Sequence, residues 1–150
     1  DNVKTFTSFG QYEVFLNGEA NIMVGWSYEA YIAAEQLLAE GNTDWEYVYP
    51  EEGMHVYVDN YTISATTEKD DLVYELIQYC TSDEFNQIMW DEAAGSRVAS
   101  ISFTDSLEMD DMLKTIVYPP DEQYAKGLYL KNLGDDLTIY SDAWTTFMND

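Results

Sequence analysis

The chain has one cysteine, one histidine and six basic residues among 150, and each scarcity closes off a class of chemistry. With Cys80 alone there is no internal disulfide and no cysteine-based zinc site. Cys80 falls in an apolar helical stretch and reads as a small buried hydrophobe, which leaves the redox compartment open. Six basic residues against 29 acidic ones give a formal charge of −23. Such a field repels nucleic acid and anionic membrane surfaces and concentrates cations. Most of these carboxylates are expected on solvated helix faces, so the charge does not by itself specify a cationic ligand. Lone His55 has no serine in a nucleophile-elbow pattern and no activated cysteine to work with, so an enzyme has little to build on. Asp105, Glu108, Asp110 and Asp111 lack the spacing and glycine of an EF-hand loop and read as a solvated helix face; neither a metal nor another cofactor is expected. No apolar run is long enough to span a bilayer, and no signal peptide is present. The chain opens on Asp1 rather than Met, as a piece of a longer precursor would.

What the chain does have is apolar and aromatic: 46% hydrophobic residues, 15% of the total aromatic, enough for a folded domain with a real core. Ala20–Trp26 reads as a short buried strand and Ser27 as the N-cap of a helix to about Glu40, with Tyr31, Ala34, Leu37 and Leu38 on its apolar face and Gly41-Asn42 ending it. Trp45–Tyr49 is a second strand. Thr67 with Asp70 forms a capping-box pattern ahead of Leu72, Val73, Leu76, Ile77 and Cys80; Thr81 with Glu84 suggests another before Phe85, Ile88 and Met89. Residues 93–97 look like a helix end running into a loop. A short helix is expected over Ser106–Lys114. Pro119-Pro120-Asp121 opens a helix that Leu133-Gly134 stops, and Asp135 or Asp136 opens the last one through Phe147. Trp45, Trp90 and Trp144 are assigned to packing. Strands alternating with helices indicate α/β architecture.

One run carries more than fold. Pro50-Glu51-Glu52-Gly53 is a turn feeding a strand from Met54 to Ile63, along which side chains alternate. Val56, Val58, Asn60 and Thr62 share one face; His55, Tyr57, Asp59, Tyr61 and Ile63 share the other. An aromatic ring therefore sits beside a carboxylate, which is depleted in strands. A π face and a negative charge together suit an organic ammonium. From the strand alone, an anchoring Asp59 and one simply solvated at a sheet edge stand level.

The order Gly18-Glu19, Gly25-Trp26-Ser27-Tyr28-Glu29-Ala30-Tyr31, Val48-Tyr49-Pro50-Glu51-Glu52-Gly53, Tyr57-Val58-Asp59-Asn60, Tyr118-Pro119 and Leu133-Gly134 resembles the C-terminal half of the spermidine/putrescine-binding proteins of ABC transporters. The resemblance runs over essentially the whole chain. It implies an α/β, periplasmic-binding-protein type II-like fold, present in part: residues 1–56 in lobe two, 57–103 crossing through lobe one and 104–150 returning to lobe two. It also implies an extracytoplasmic location, in the periplasm or on a cell-surface lipoprotein. The function implied is capture of a small cationic solute, a polyamine, in an interlobe cleft for delivery to an ABC permease. Membrane association would come only through the permease or a lost anchor. By the same resemblance Trp26 stacks on the methylenes of the solute, Tyr57 stands where the family usually has a tryptophan wall, and Asp59 binds an amine. Ser96 occupies the position of a further aromatic, with Arg97 after it, and Leu130 matches a position usually held by Gln. These departures bear on the solute more than on the transport role. Arg97 is expected to pair with a structural carboxylate, as most arginines do; facing the cleft, it would repel a diamine and admit a solute that carries a carboxylate as well as an amine. The same scaffold carrying an amino acid or a sugar-amine conjugate is thus the first alternative, and a non-transport interaction module the second.

Overall fold

The structure, a computed structural model, describes residues 3–92 and 100–149. Among them the chain forms α1 (Gln11–Leu16), α2 (Ser27–Ala39), β1 (His55–Val56), α3 (Asp70–Cys80), α4 (Asp83–Glu92), α5 (Ile101–Ser106), α6 (Asp111–Val117), α7 (Asp121–Tyr124), β2 (Leu128–Tyr129) and α8 (Leu137–Asn149), with a 3₁₀ turn over Gly134–Asp136. It is a helix-rich mixed fold. Its only strand pairing among the described residues is parallel, with His55 opposite Leu128 and Val56 opposite Tyr129.

The core lies between α2 and α6. Tyr31 and Ala34 on α2 pack against Leu113, Ile116 and Val117 on α6, and Ala30, Leu38, Trp45, Tyr47, Trp90, Met109 and Tyr118 close over them. Ile116 is fully buried. The apolar residues of α2 recur at helical spacing, so one stripe turns inward and Glu35, Gln36 and Glu40 turn out. Tyr31 meets the edge of Trp90 at 5.7 Å, and the Tyr49 hydroxyl donates to the Thr115 carbonyl, tying the 45–49 segment to α6. Asp110 caps α6, its carboxylate accepting from the Met112 N–H at 2.8 Å.

Several sequence expectations change here. Ala20–Trp26 forms no ladder among the described residues, and Ile22 and Val24 are exposed (80% and 89%) rather than buried. Trp45–Tyr49 also has no ladder among the described residues, yet its alternation survives: Trp45, Tyr47 and Tyr49 turn inward while Glu46 and Val48 face out. Burial, not hydrogen bonding, produces that period. Among the described residues the strand expected from Met54 to Ile63 is paired only at His55–Val56; Tyr57 to Thr62 run on exposed and Ile63 is half-buried. At the start of α3, Lys69 occupies the N-cap without a side-chain cap, because Thr67 accepts from the nearer Lys69 N–H at 3.3 Å. Before α4 the capping hydroxyl is Ser82, accepting from Phe85 N–H at 3.3 Å; Thr81 instead donates back to Ile77 O. The expected Ser106–Lys114 helix is split into α5 and α6 around Asp110. The helix after Pro120 ends at Tyr124, since the chain must flatten into β2 beside β1. Trp144 packs on Phe6 and Phe147 but stays half-exposed on α8, and Cys80 is half-buried. The expectation for residues 93–97 lies outside the described residues.

Two glycines set the close approach that makes β1 and β2 neighbours. The turn closes through Gly53 N–H on Pro50 O at 3.0 Å, with Gly53 at φ +107°, and a Cβ there would stand 2.2 Å from the Lys126 carbonyl oxygen. At Gly127 a Cβ would meet the Val56 side chain at 2.7 Å. No side chain fits either place without backbone movement.

Candidate functional site

Trp26 closes the 20–26 segment and is the N-cap of α2: at φ −71°, ψ 148° its carbonyl accepts the Ala30 N–H while its side chain stands outside the helix. Ser27 is therefore the first helical residue and not the cap. The Trp26 indole N–H donates to the Ser8 carbonyl at 3.1 Å. That carbonyl belongs to a loop held from behind by Glu29, whose carboxylate accepts Gly10 N–H at 2.6 Å and Gln11 N–H at 2.8 Å. Glu29 is 1% exposed, the only buried acid among the described residues. The Tyr28 hydroxyl also donates to it at 3.4 Å, and burial together with this neighbouring carboxylate pushes the Tyr28 phenol above its ordinary pKa. Gly25 lets Gln11 approach, its absent Cβ leaving the amide oxygen only about 3.1 Å of room.

Tyr57 follows β1 directly, so the pairing that seats Val56 against Tyr129 also sets where Tyr57 emerges. Its ring meets Trp26 edge to face, centroids 5.3 Å apart and planes at 79°. Residues distant in sequence are thus joined into one aromatic surface that remains open to solvent, Trp26 at 37% and Tyr57 at 54% exposure. Asp59 lies two residues further on, exposed, and the Asn60 amide folds back on the Val58 carbonyl at 3.0 Å. Leu130 is one step past the last β1–β2 pair, as Tyr57 is on the other strand, and is exposed. His55 sits exposed on β1. Ser96 and Arg97 lie outside the described residues.

Of the residues the sequence points to, Trp26 and Tyr57 touch, and Asp59 and Leu130 lie along the two segments that leave the β1–β2 pair. Glu29 and the Ser8–Gln11 loop are not singled out by patterning. The signal for Glu29 is nevertheless present: it shares an i, i+4, i+8 stripe with Ala33 and Leu37, all three buried. Chemically, the arrangement offers ring faces for alkyl groups or cations and a carboxylate free to accept from an ammonium. Among the described residues no group of three His, Cys, Asp or Glu side chains is placed to hold a metal ion, and no helix is long and apolar enough to cross a membrane.

Comparison with known proteins then fixes the family. Residues 1–115 match the family described as bacterial extracellular solute-binding protein. The chain belongs to that family. Among curated relatives, the spermidine/putrescine-binding periplasmic proteins of Salmonella typhimurium and Salmonella typhi are each 23% identical to this solute-binding chain over 141 residues. The alignment covers 94% of this chain and 39% of each relative, so the chain spans well under half the length of the proteins it matches. No solved structure gives a significant match.

Proposed function

We propose that this chain contributes Trp26, Tyr57 and Asp59 to a cleft that captures a polyamine, putrescine or spermidine, outside the cytoplasm for delivery to an ABC permease. The observation that carries this reading is the contact of Trp26 with Tyr57 on an exposed surface, with Asp59 on the same segment. It is supported by family membership and by the names of the two relatives. Because the two rings touch, no slot lies between them; the alkyl chain of the solute lies across the faces they leave open. Each methylene covered there gains about 0.8 kcal/mol, and a cation over a ring about 0.5–2 kcal/mol. Asp59 neutralises and orients one ammonium. The role is binding, not catalysis. Ser96 stands as a further ligand contact by the resemblance.

In this reading residues 1–56 and 104–150 belong to lobe two and 57–103 to lobe one of a two-lobed protein. Segments 20–26 and 57–63, which form no ladder among the described residues, are then strands whose neighbours lie on the rest of that protein. Solute is held when the lobes close, because contacts from both lobes exist only in the closed state. Leu130, exposed one step past the β1–β2 pair where the resemblance expects an amide, leaves a second solute open on the same scaffold: an amino acid or a sugar-amine conjugate.

The test is calorimetric titration of the full-length protein with putrescine, spermidine and a panel of amino acids and amino sugars. Trp26→Ala and Asp59→Ala should each weaken polyamine binding. Unchanged affinity in both variants defeats the site assignment, and no stabilisation by any small molecule would point to an interaction module.

A further inference from the structure

We propose that Glu29 is a positioning residue for the solute site, acting through the Ser8–Gln11 loop to fix the orientation of the Trp26 indole. The inference rests on the reading of Trp26 as a wall of that site. A glutamate at the third position of a helix ordinarily reaches back to its own N-cap N–H. Glu29 does not. It turns across to the N-terminus of α1 and takes two backbone N–H groups, Gly10 at 2.6 Å and Gln11 at 2.8 Å, with the Tyr28 hydroxyl at 3.4 Å. No basic residue among the described ones pairs with it, so these three donors are what holds a carboxylate that is almost wholly buried. The loop anchored in this way places the Ser8 carbonyl 3.1 Å from the Trp26 indole nitrogen. Trp26 and Glu29 both stand on the first turn of α2, so the contacts close a circuit. It runs from Trp26 through that turn to Glu29, across to Gly10 and Gln11, back along the loop to Ser8 and home to the indole.

The circuit constrains a side chain that would otherwise be free. Trp26 is partly exposed, and among the described residues the Ser8 carbonyl and the edge-to-face contact with Tyr57 bear on the plane of its ring. Gly10 is at φ +78°, a left-handed conformation that turns its N–H and that of Gln11 toward one acceptor pair. A neutral glutamine at position 29 has one acceptor oxygen and an NH₂ group, so it keeps one of the two N–H bonds and sets a donor against the other. The loop then loses its anchor on one side and the Ser8 carbonyl its fixed place.

The experiment uses the full-length protein with E29Q, W26F and the double variant. Indole N–H signals are recorded on ¹⁵N-tryptophan-labelled protein without solute, and putrescine and spermidine affinities by calorimetry. The Trp26 signal is identified by its loss in W26F. E29Q should raise hydrogen exchange at the Trp26 indole several-fold while the other indoles hold theirs. It should weaken binding roughly tenfold. In the W26F background, which already lacks the indole donor, adding E29Q should weaken binding no further. An unchanged Trp26 signal in E29Q, equal changes at all indoles, or affinity losses that add in the double variant would overturn the proposal and leave Glu29 a helix-docking residue. Should E29Q not fold, E29D carries the comparison: one methylene shorter, it keeps the charge but not the reach, and the same Trp26-confined change is expected. If W26A leaves polyamine affinity unchanged, the site reading fails, while the solute-free indole signal still decides the positioning role on its own.

Discussion

Replacing Gly53 with alanine should destabilise the protein well beyond the same change at Gly41, and the difference measures how hard the Pro50–Gly53 turn presses on the segment before β2. Both glycines have positive φ, +107° and +74°. At Gly41 a Cβ would meet nothing within 4 Å, so only the left-handed backbone penalty applies, about 1–2 kcal/mol. At Gly53 the backbone lies outside the left-handed basin, a strain of about 1–3 kcal/mol for a residue with a side chain. The new Cβ would also stand 2.2 Å from the Lys126 carbonyl. Ordinary contact requires the two backbones to part by about 1 Å, which stretches the 2.8 Å bond from Leu128 N–H to Met54 O out of range. Losing that bond costs about 0.5–1.5 kcal/mol. Gly53→Ala should therefore cost about 0.5–2.5 kcal/mol more than Gly41→Ala. The assay is urea unfolding of the full-length protein, taking the transition in which this segment melts, with solute titration alongside. Because β1 sets where Tyr57 emerges, G53A should also weaken solute binding and G41A should not. If the two variants fall within about 0.5 kcal/mol of each other, the close approach carries no energy and the argument for what seats Tyr57 fails.

Other outcomes follow from the same geometry. Ile116→Ala, at the centre of the α2–α6 contact, should cost about 2–5 kcal/mol in denaturant unfolding and loosen the helix that carries Trp26 and Glu29. Asp110→Ala removes the cap of α6 and should cost about 1 kcal/mol by the same assay. Asp59→Asn should lower polyamine affinity by about 1.5–3 kcal/mol, the worth of a hydrogen bond to a charged group, leaving the melting temperature without solute unchanged. Alkali should unfold the protein in a defined window. Burial, with Glu35 beside Tyr31 and Tyr47 beside Tyr49, raises both phenols to about 12 in the fold against 10 in the open chain. The folded state thus holds protons that the unfolded state releases, so their contribution is intact below pH 10 and lost as pH rises toward 12. A pH-dependent melting series on Tyr31→Phe/Tyr49→Phe should show a shallower fall across that window.

What was legible in the sequence divides along physical lines. Helices were readable because their signal is local. The apolar stripe of α2, the run Leu72–Cys80 of α3 and the Pro-Pro-Asp start of α7 each appear where periodicity or proline chemistry puts them. Caps sit one or two residues from where the patterns put them, since each hydroxyl has several local backbone partners: Thr67 accepts from Lys69 N–H, Thr81 donates back to Ile77 O, and Ser82 takes the Phe85 N–H. Strands were the weak point. A ladder is a property of two segments, so neither Ala20–Trp26 nor Trp45–Tyr49 can announce from its own residues whether a partner is present. The one pairing among the described residues joins segments more than seventy residues apart in sequence. At the site, Trp26 and Tyr57 were nameable by resemblance, but their contact was not. Glu29 escaped because a glutamate in the first turn of a helix ordinarily signals its own cap, and its actual partners, Gly10 and Gln11, carry nothing in their side chains that predicts them.

The acidity of the chain and the proposed specificity of its site act at different ranges, and the structure separates them. Surface charges lose most of their reach beyond about 8 Å at physiological ionic strength, so a formal −23 gathers cations of every kind near the protein and selects none of them. Selection needs contact. Metal cations and polyamines are equally welcome to the field, but only an alkyl ammonium gains from ring faces as well as from a carboxylate. In the proposed site the rings are therefore the source of discrimination, and Trp26 and Tyr57 meet at 79°, an angle set by the backbone segments that carry them. Tyr57 is fixed by β1 against β2 and by the glycines that let them approach. Trp26 is fixed by α2 and by its bond to Ser8. The one buried carboxylate among the described residues lies in the anchoring of that loop rather than in the attraction of cations. That is the placement expected if orientation of the aromatic wall, and not charge, limits what the site accepts.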